Sequence, residues 1–230
     1  LKNNHFGWDG AVLGSDEILG LKLPLPSLTV QNKIVNDVMK IYGWKEYDSE
    51  ACKMMVGNGF RKLIQRALPE EKQKDEMFLD EAVDQFSKAY QKRYLNKTIP
   101  YEGILKLLGT LEEKGIKIAV NSNKRGDYTN ALVNKYFSQF SWIAVYGERE
   151  REGIPKKPDP SAALEIANHM NLPAEEVLYI GDSKTDMETG QNAKMDTIGV
   201  AWGFRGAEEL RENNATYIVE KPEAILEYVI

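Results

Sequence analysis

The chain has 230 residues and a net charge of -5, with 30 basic against 35 acidic side chains. That excludes a general nucleic-acid binder, which needs a basic face. The single cysteine, Cys52, rules out an intramolecular disulfide and a cysteine-rich zinc site, and the two histidines, His5 and His169, argue against a histidine-built metal centre.

A hydrophobic content of 42% suits a globular protein holding one domain, or a core domain with an insertion. No stretch reaches the ~20 apolar residues of a membrane span. The fairly apolar Ile18–Val30 is broken by Lys22, Pro24 and Pro26. No basic segment followed by an apolar run marks the start of the chain, so the expectation is a cytoplasmic protein with neither membrane nor nucleic-acid partner.

The chain opens on Lys2-Asn3-Asn4-His5, which is polar where a buried central strand should be apolar, and runs into Phe6-Gly7-Trp8-Asp9-Gly10-Ala11-Val12-Leu13. From about residue 28 to 97 the periodicity is helical: Ile34, Val35, Val38, Met39 and Tyr42, then Phe60, Leu63, Ile64, Ala67 and Leu68, then Val83, Phe86, Tyr90 and Tyr94. No strand is expected there. Residues 20–98 read as a helical insertion that ends before Ile99-Pro100, with 14 basic against 11 acidic side chains. A mildly basic lid over an anionic substrate and ordinary solvated helix faces are both open readings of that balance.

Beyond residue 99 the pattern alternates. Strands are expected at Ile116–Asn121, Trp142–Tyr146, Val177–Ile180, Thr197–Trp202 and Tyr217–Val219. Helices are expected at Tyr101–Lys114, Asp127–Tyr136, Pro160–Met170, Thr185–Ala193, Glu208–Asn213 and Glu223–Tyr228. Such alternation predicts an α/β fold, a mostly parallel sheet covered by helices on both faces.

Three strand ends carry groups with chemistry. Tyr179-Ile180-Gly181-Asp182-Ser183-Lys184-Thr185-Asp186 places two carboxylates where a strand turns into a helix, the edge at which open α/β sheets bind ligands. The pair suits a hard cation such as Mg²⁺, and it equally suits an Asp cap with a solvated helical acid. Val120-Asn121-Ser122-Asn123-Lys124 puts a hydroxyl directly after a strand, able to bond a phosphate oxygen or to cap a helix. Gly153-Ile154-Pro155-Lys156-Lys157-Pro158-Asp159-Pro160 restrains two lysines between prolines, where one can neutralise a phosphate as a point charge.

In this order and spacing the segments resemble the haloacid dehalogenase (HAD) superfamily of phosphohydrolases. Asn121-Ser122-Asn123 matches its second motif, Lys157-Pro158-Asp159-Pro160 its third, and Gly181-Asp182-Ser183 with Asp186 its fourth, while Asp9-Gly10 matches part of the first. Val56-Gly57-Asn58-Gly59 and Gly199–Arg205 are similar to the phosphoglycolate phosphatase branch. The resemblance implies a Rossmann-like core, residues 1–19 and 99–230, with a helical cap inserted at 20–98. It also implies a small phosphorylated metabolite as substrate, Mg²⁺ as cofactor and an aspartyl-phosphate intermediate. By position, Asp9 would be the acid/base and would lend the metal a carbonyl, Ser122 and Asn123 would hold the phosphate, and Lys157 would bridge phosphate and nucleophile. Asp182 would ligate Mg²⁺, with Asp186 supporting it directly or through water.

Three positions depart from the family. Gly7 stands where the nucleophilic aspartate belongs, Ala11 where a threonine belongs and Gly14 where an aspartate is usual. Glycine can neither attack phosphorus nor bind metal. A phosphatase is the function named by the other motifs; a catalytically impaired or regulatory phosphate-binding module is the alternative.

Overall fold

The computed structural model describes residues 17–19, 28–56, 59–95, 98–203 and 205–229, with the backbone alone at 17–19, 28–31 and 53. Its centre is a six-stranded sheet in the order β3-β2-β1-β4-β5-β6, parallel at every pairing. The strands are β1 (Glu17–Leu19), β2 (Lys117–Arg125), β3 (Trp142–Glu148), β4 (Val177–Gly181), β5 (Asp196–Val200) and β6 (Tyr217–Val219). Strand order reverses beside β1, so a crevice is expected at the carboxyl ends of β1, β2 and β4.

β4 is buried along its whole length, which is why its sequence is a continuous apolar run without alternation. Successive side chains still leave on opposite faces. Ile118, Val120, Leu178, Ile180, Ile198 and Val200 pack with Leu107, Leu108 and Leu111 of α5 (Ile104–Glu113) and with Val133 of α6 (Gly126–Tyr136). Ala119 and Tyr179 face the other way, against Ile166 and Met170 of α7 (Ser161–Met170). Each such aliphatic side chain, fully buried, contributes about 1.5–3 kcal/mol. The sheet is flanked further by α8 (Lys184–Asn192) and α9 (Gly206–Glu212).

The segment before the alternating half forms α1 (Leu28–Ile41), α2 (Ser49–Met55), α3 (Gly59–Ala67) and α4 (Glu76–Gln91), with no strand among its described residues. Asp48 caps α2 by accepting from Ala51 N at 2.8 Å, and Asp75 caps α4 by accepting from Phe78 N at 3.1 Å. The helices close over a core of their own, built from Ile34, Val38, Met39, Leu63, Ile64, Leu79, Phe86 and Tyr90, into which Tyr128 of α6 also packs. No described helix is long and apolar enough to cross a membrane.

Four elements differ from the sequence expectation. β2 runs on to Arg125, past the expected end at Asn121, so Ser122 lies within the strand and not directly after it. β1 was not expected: three residues are too short a run to show a period. β5 ends at Val200, its last pair with β6 being Val200↔Val219, and Ala201–Gly203 turn away. Pro222–Tyr228 is a 3₁₀ helix, not an α-helix.

Candidate active site

The carboxyl edge of β2 and β4 borders a cavity of about 660 Å³, lined from the sheet side by Ser122, Asn123, Lys124, Lys157, Asp182 and Asp186. Val56, Phe60, Leu63, Val83, Phe86 and Tyr90 line it from the helical layer, so a polar floor faces a largely apolar roof.

Lys157 is held from several directions. Its Nζ donates to Asp186 Oδ1 at 2.7 Å and to the carbonyl of Asn121 at 3.1 Å. Its backbone is clamped by Asn123, whose Oδ1 accepts from Lys157 N at 2.8 Å and whose Nδ2 donates to Lys157 O at 3.1 Å. Burial pulls the lysine pKa down, but the Asp186 carboxylate and the Tyr179 hydroxyl raise it by more, so Lys157 stays charged. The other lysine of the pair, Lys156, points to Glu150 instead.

Asp186 answers both readings open from its sequence. It sits in a capping box at the start of α8: its Oδ2 accepts from Ser183 Oγ at 2.7 Å and from the amides of Asp182 and Ser183, each at 3.2 Å. Its other oxygen faces Lys157. The aspartate therefore orients the lysine, and direct metal ligation would compete with that ion pair. Asn123 is similarly committed: both polar atoms of its side chain bond the Lys157 backbone. Ser122 Oγ accepts from Lys124 N at 3.1 Å, which leaves its proton to donate into the cavity.

Asp182 is set by a close approach. A Cβ on Gly203 would lie 2.2 Å from Asp182 Cβ, so the turn after β5 fits against this carboxylate only because residue 203 is glycine. Among the described residues no three histidine, cysteine, aspartate or glutamate side chains converge. Asp182 alone is a small donor set, yet it fits Mg²⁺, an ion that commonly takes one or two carboxylates and completes its shell with water and substrate phosphate.

Gly7 and Asp9 lie outside the described residues. The slot between β2 and β4 is filled by β1, where Leu19 is paired with Ala119 on one side and Tyr179 on the other. That strand begins ten residues after Gly7, whereas the sequence assignment of the first motif needs a strand ending just before it. Gly20, Leu21 and Lys22, which follow β1 in the sequence, carry no carboxylate. The first motif thus rests on sequence alone.

Two participants escaped the sequence reading. Lys124 Nζ donates to Tyr90 OH of α4 at 2.7 Å, and Arg205 Nη2 donates to the carbonyl of Val56 at 2.9 Å, so each joins the sheet side to the helical layer. Both lie in segments quoted for the family resemblance, which was the available signal.

A model of the haloacid dehalogenase-like hydrolases matches residues 27–200. The chain belongs to this family. The match begins after β1, so the first motif lies outside it. Within the family, a phosphoglycolate phosphatase of Psychrobacter arcticus is 30% identical over 203 residues, covering 85% of this chain and 86% of its own. Another, from Pseudomonas syringae pv. tomato, is 27% identical over 176 residues, which cover 74% of this chain and 63% of that one. A crystal structure from Lactobacillus delbrueckii subsp. bulgaricus, named provisionally as a phosphoglycolate phosphatase, superposes with a TM-score of 0.82 at 28% identity. It covers 94% of this chain and 98% of its own. The HAD-like architecture of a parallel sheet with many helices agrees with the fold expected from the sequence.

Proposed function

We propose that this chain is a phosphatase of the HAD type, acting with Mg²⁺ on a small phosphorylated metabolite resembling phosphoglycolate. The observation that carries this reading is the convergence of Ser122, Lys157 and Asp182 on one cavity, with Lys157 pinned against Asp186. Ser122 donates to a phosphate oxygen and Lys157 offsets the charge on the phosphoryl group. Asp182 would hold the metal, with Asp186 in support while it keeps Lys157 in place. Bound Mg²⁺ supplies charge neutralisation to the transferring oxygens. Residues 20–98 act as the cap over a core of 1–19 and 99–230, excluding water and shaping the leaving-group side. A cytoplasmic setting goes with this reading.

A second reading has its own observation. The assigned nucleophile position is Gly7, and the residues following β1 are equally without a carboxylate. A chain in this state would hold phosphate without turning it over. Release of phosphate from phosphoglycolate and from 4-nitrophenyl phosphate, with Mg²⁺ and with a chelator, separates the two. Mg²⁺-dependent release that is lost in Asp182→Asn supports the phosphatase, and binding without release supports the phosphate-holding module. Neither binding nor release, in folded protein, refutes both.

A further inference from the structure

We propose that Lys124 reads a second anionic group on the substrate, a carboxylate carried close to the phosphate ester. This deepens the phosphatase reading and rests on it.

Lys124 lines the cavity two residues beyond Ser122, a separation of at most about 7 Å along the chain. Its Nζ lies 2.7 Å from Tyr90 OH and 5.2 Å from that ring's centroid, and among the described residues it meets no carboxylate. The neighbouring cations differ. Arg125 pairs with Asp127, Arg149 with Glu152 and Glu165, Lys157 with Asp186, and Arg205 with Glu209. Arg151 is exposed, where water serves.

An ammonium partly withdrawn from water and given one phenol in exchange is under-compensated, and burial lowers its pKa to about 8. A carboxylate brought by the substrate supplies the missing charge. It also matches the donors in number, Lys124 Nζ for one oxygen and the Tyr90 hydroxyl proton for the other. The amino end of α3 adds to the same field: its first residue, Gly59, stands so that a Cβ would lie 3.8 Å from the carbonyl of Asn123. A short molecule with phosphate at Ser122 and carboxylate at Lys124 satisfies both ends, whereas an uncharged alkyl phosphate leaves the ammonium as it was.

The test is calorimetric titration, in Mg²⁺, of the full chain and of Lys124→Met and Lys124→Arg. The ligands are phosphoglycolate, ethyl phosphate and inorganic phosphate, and circular dichroism checks each fold. The wild type should prefer phosphoglycolate to ethyl phosphate by roughly ten-fold or more. That ratio should fall to about one in Lys124→Met and recover in part in Lys124→Arg, on the energetics of one charged hydrogen bond. An unchanged ratio in Lys124→Met overturns the inference. So does a wild type that binds inorganic phosphate but shows no preference between the esters, an outcome that leaves the phosphatase reading standing. A folded wild type that binds none of the three overturns both.

Discussion

Lys157 Nζ lies 2.7 Å from Asp186 Oδ1, and the two side chains are only 12% and 10% exposed. The contact ties the proline-flanked segment before α7 to the first turn of α8. Breaking a buried pair by removing one partner strands the other charge, so Lys157→Met should destabilise the fold by about 3–5 kcal/mol. Urea denaturation measures this, and a loss below about 1 kcal/mol would mean the pair is solvated or dispensable. The double variant Lys157→Met with Asp186→Asn should recover part of the loss, because no unpaired charge remains.

Gly203 sets Asp182 by contact, and the consequence is testable without touching a carboxylate. In Gly203→Ala the new methyl would stand 2.2 Å from Asp182 Cβ and 2.4 Å from its Oδ2, so the backbone of the turn or of Asp182 must shift and carry the carboxylate with it. The expectation is a stability loss of about 1–3 kcal/mol together with loss of the effect of Mg²⁺ on phosphate binding or turnover. An Mg²⁺ dependence equal to that of wild type would remove Asp182 from the metal's shell.

Burial lowers Lys124 from 10.5 to about 8. Between about pH 8 and 10.5 the unfolded chain then holds more protons at this residue than the folded one does, so Lys124 makes stability rise with pH across that window. Compared with Lys124→Met, the wild type should gain on the order of 1–3 kcal/mol from pH 8 to 10.5, a figure discounted for partial exposure of the side chain. Denaturation curves of both proteins at the two pH values give the difference directly. A flat difference would place the ammonium in water.

The place of β1 in the sheet bears on where the nucleophile of the proposed reaction belongs. Loss of a catalytic nucleophile costs on the order of 10⁶ in rate in other hydrolases. A carboxylate introduced by Gly20→Asp, Leu21→Asp or Lys22→Asp, next after β1 in the sequence, should raise Mg²⁺-dependent phosphate release above wild type by more than Gly7→Asp does. Turnover of the four variants decides it. A gain of several orders of magnitude from Gly7→Asp alone would put the first motif where the sequence placed it.

The alternating half was legible because its strands are long enough to show a pattern: Val177–Ile180 is a buried apolar run, and Gly115 and Asn171 mark helix stops with φ values of 76° and 58°. The helical half was legible from its period, and Ile34, Val38, Ile64 and Phe86 are core residues. β1 was not, since Glu17–Leu19 acquires its identity only by pairing with β2 and β4. At the site, Ser122, Lys157, Asp182 and Asp186 could be picked out because residue type and position relative to a strand end carry their chemistry. The clamp of Asn123 on the Lys157 backbone and the bond from Lys124 to Tyr90 were hidden. They join residues 34 apart in each case, and Tyr90 in its own helix reads simply as core.

The central claim is that one phosphoryl group sits among Ser122, Lys157 and Asp182. Titrating the full chain with phosphoglycolate in Mg²⁺, and following the heat of binding, tests it independently of turnover. Saturable binding at one site is expected, weakened at least roughly ten-fold by Ser122→Ala or Asp182→Asn, on the scale of one charged hydrogen bond. Absence of binding in folded protein, or affinity unchanged by both substitutions, would contradict it.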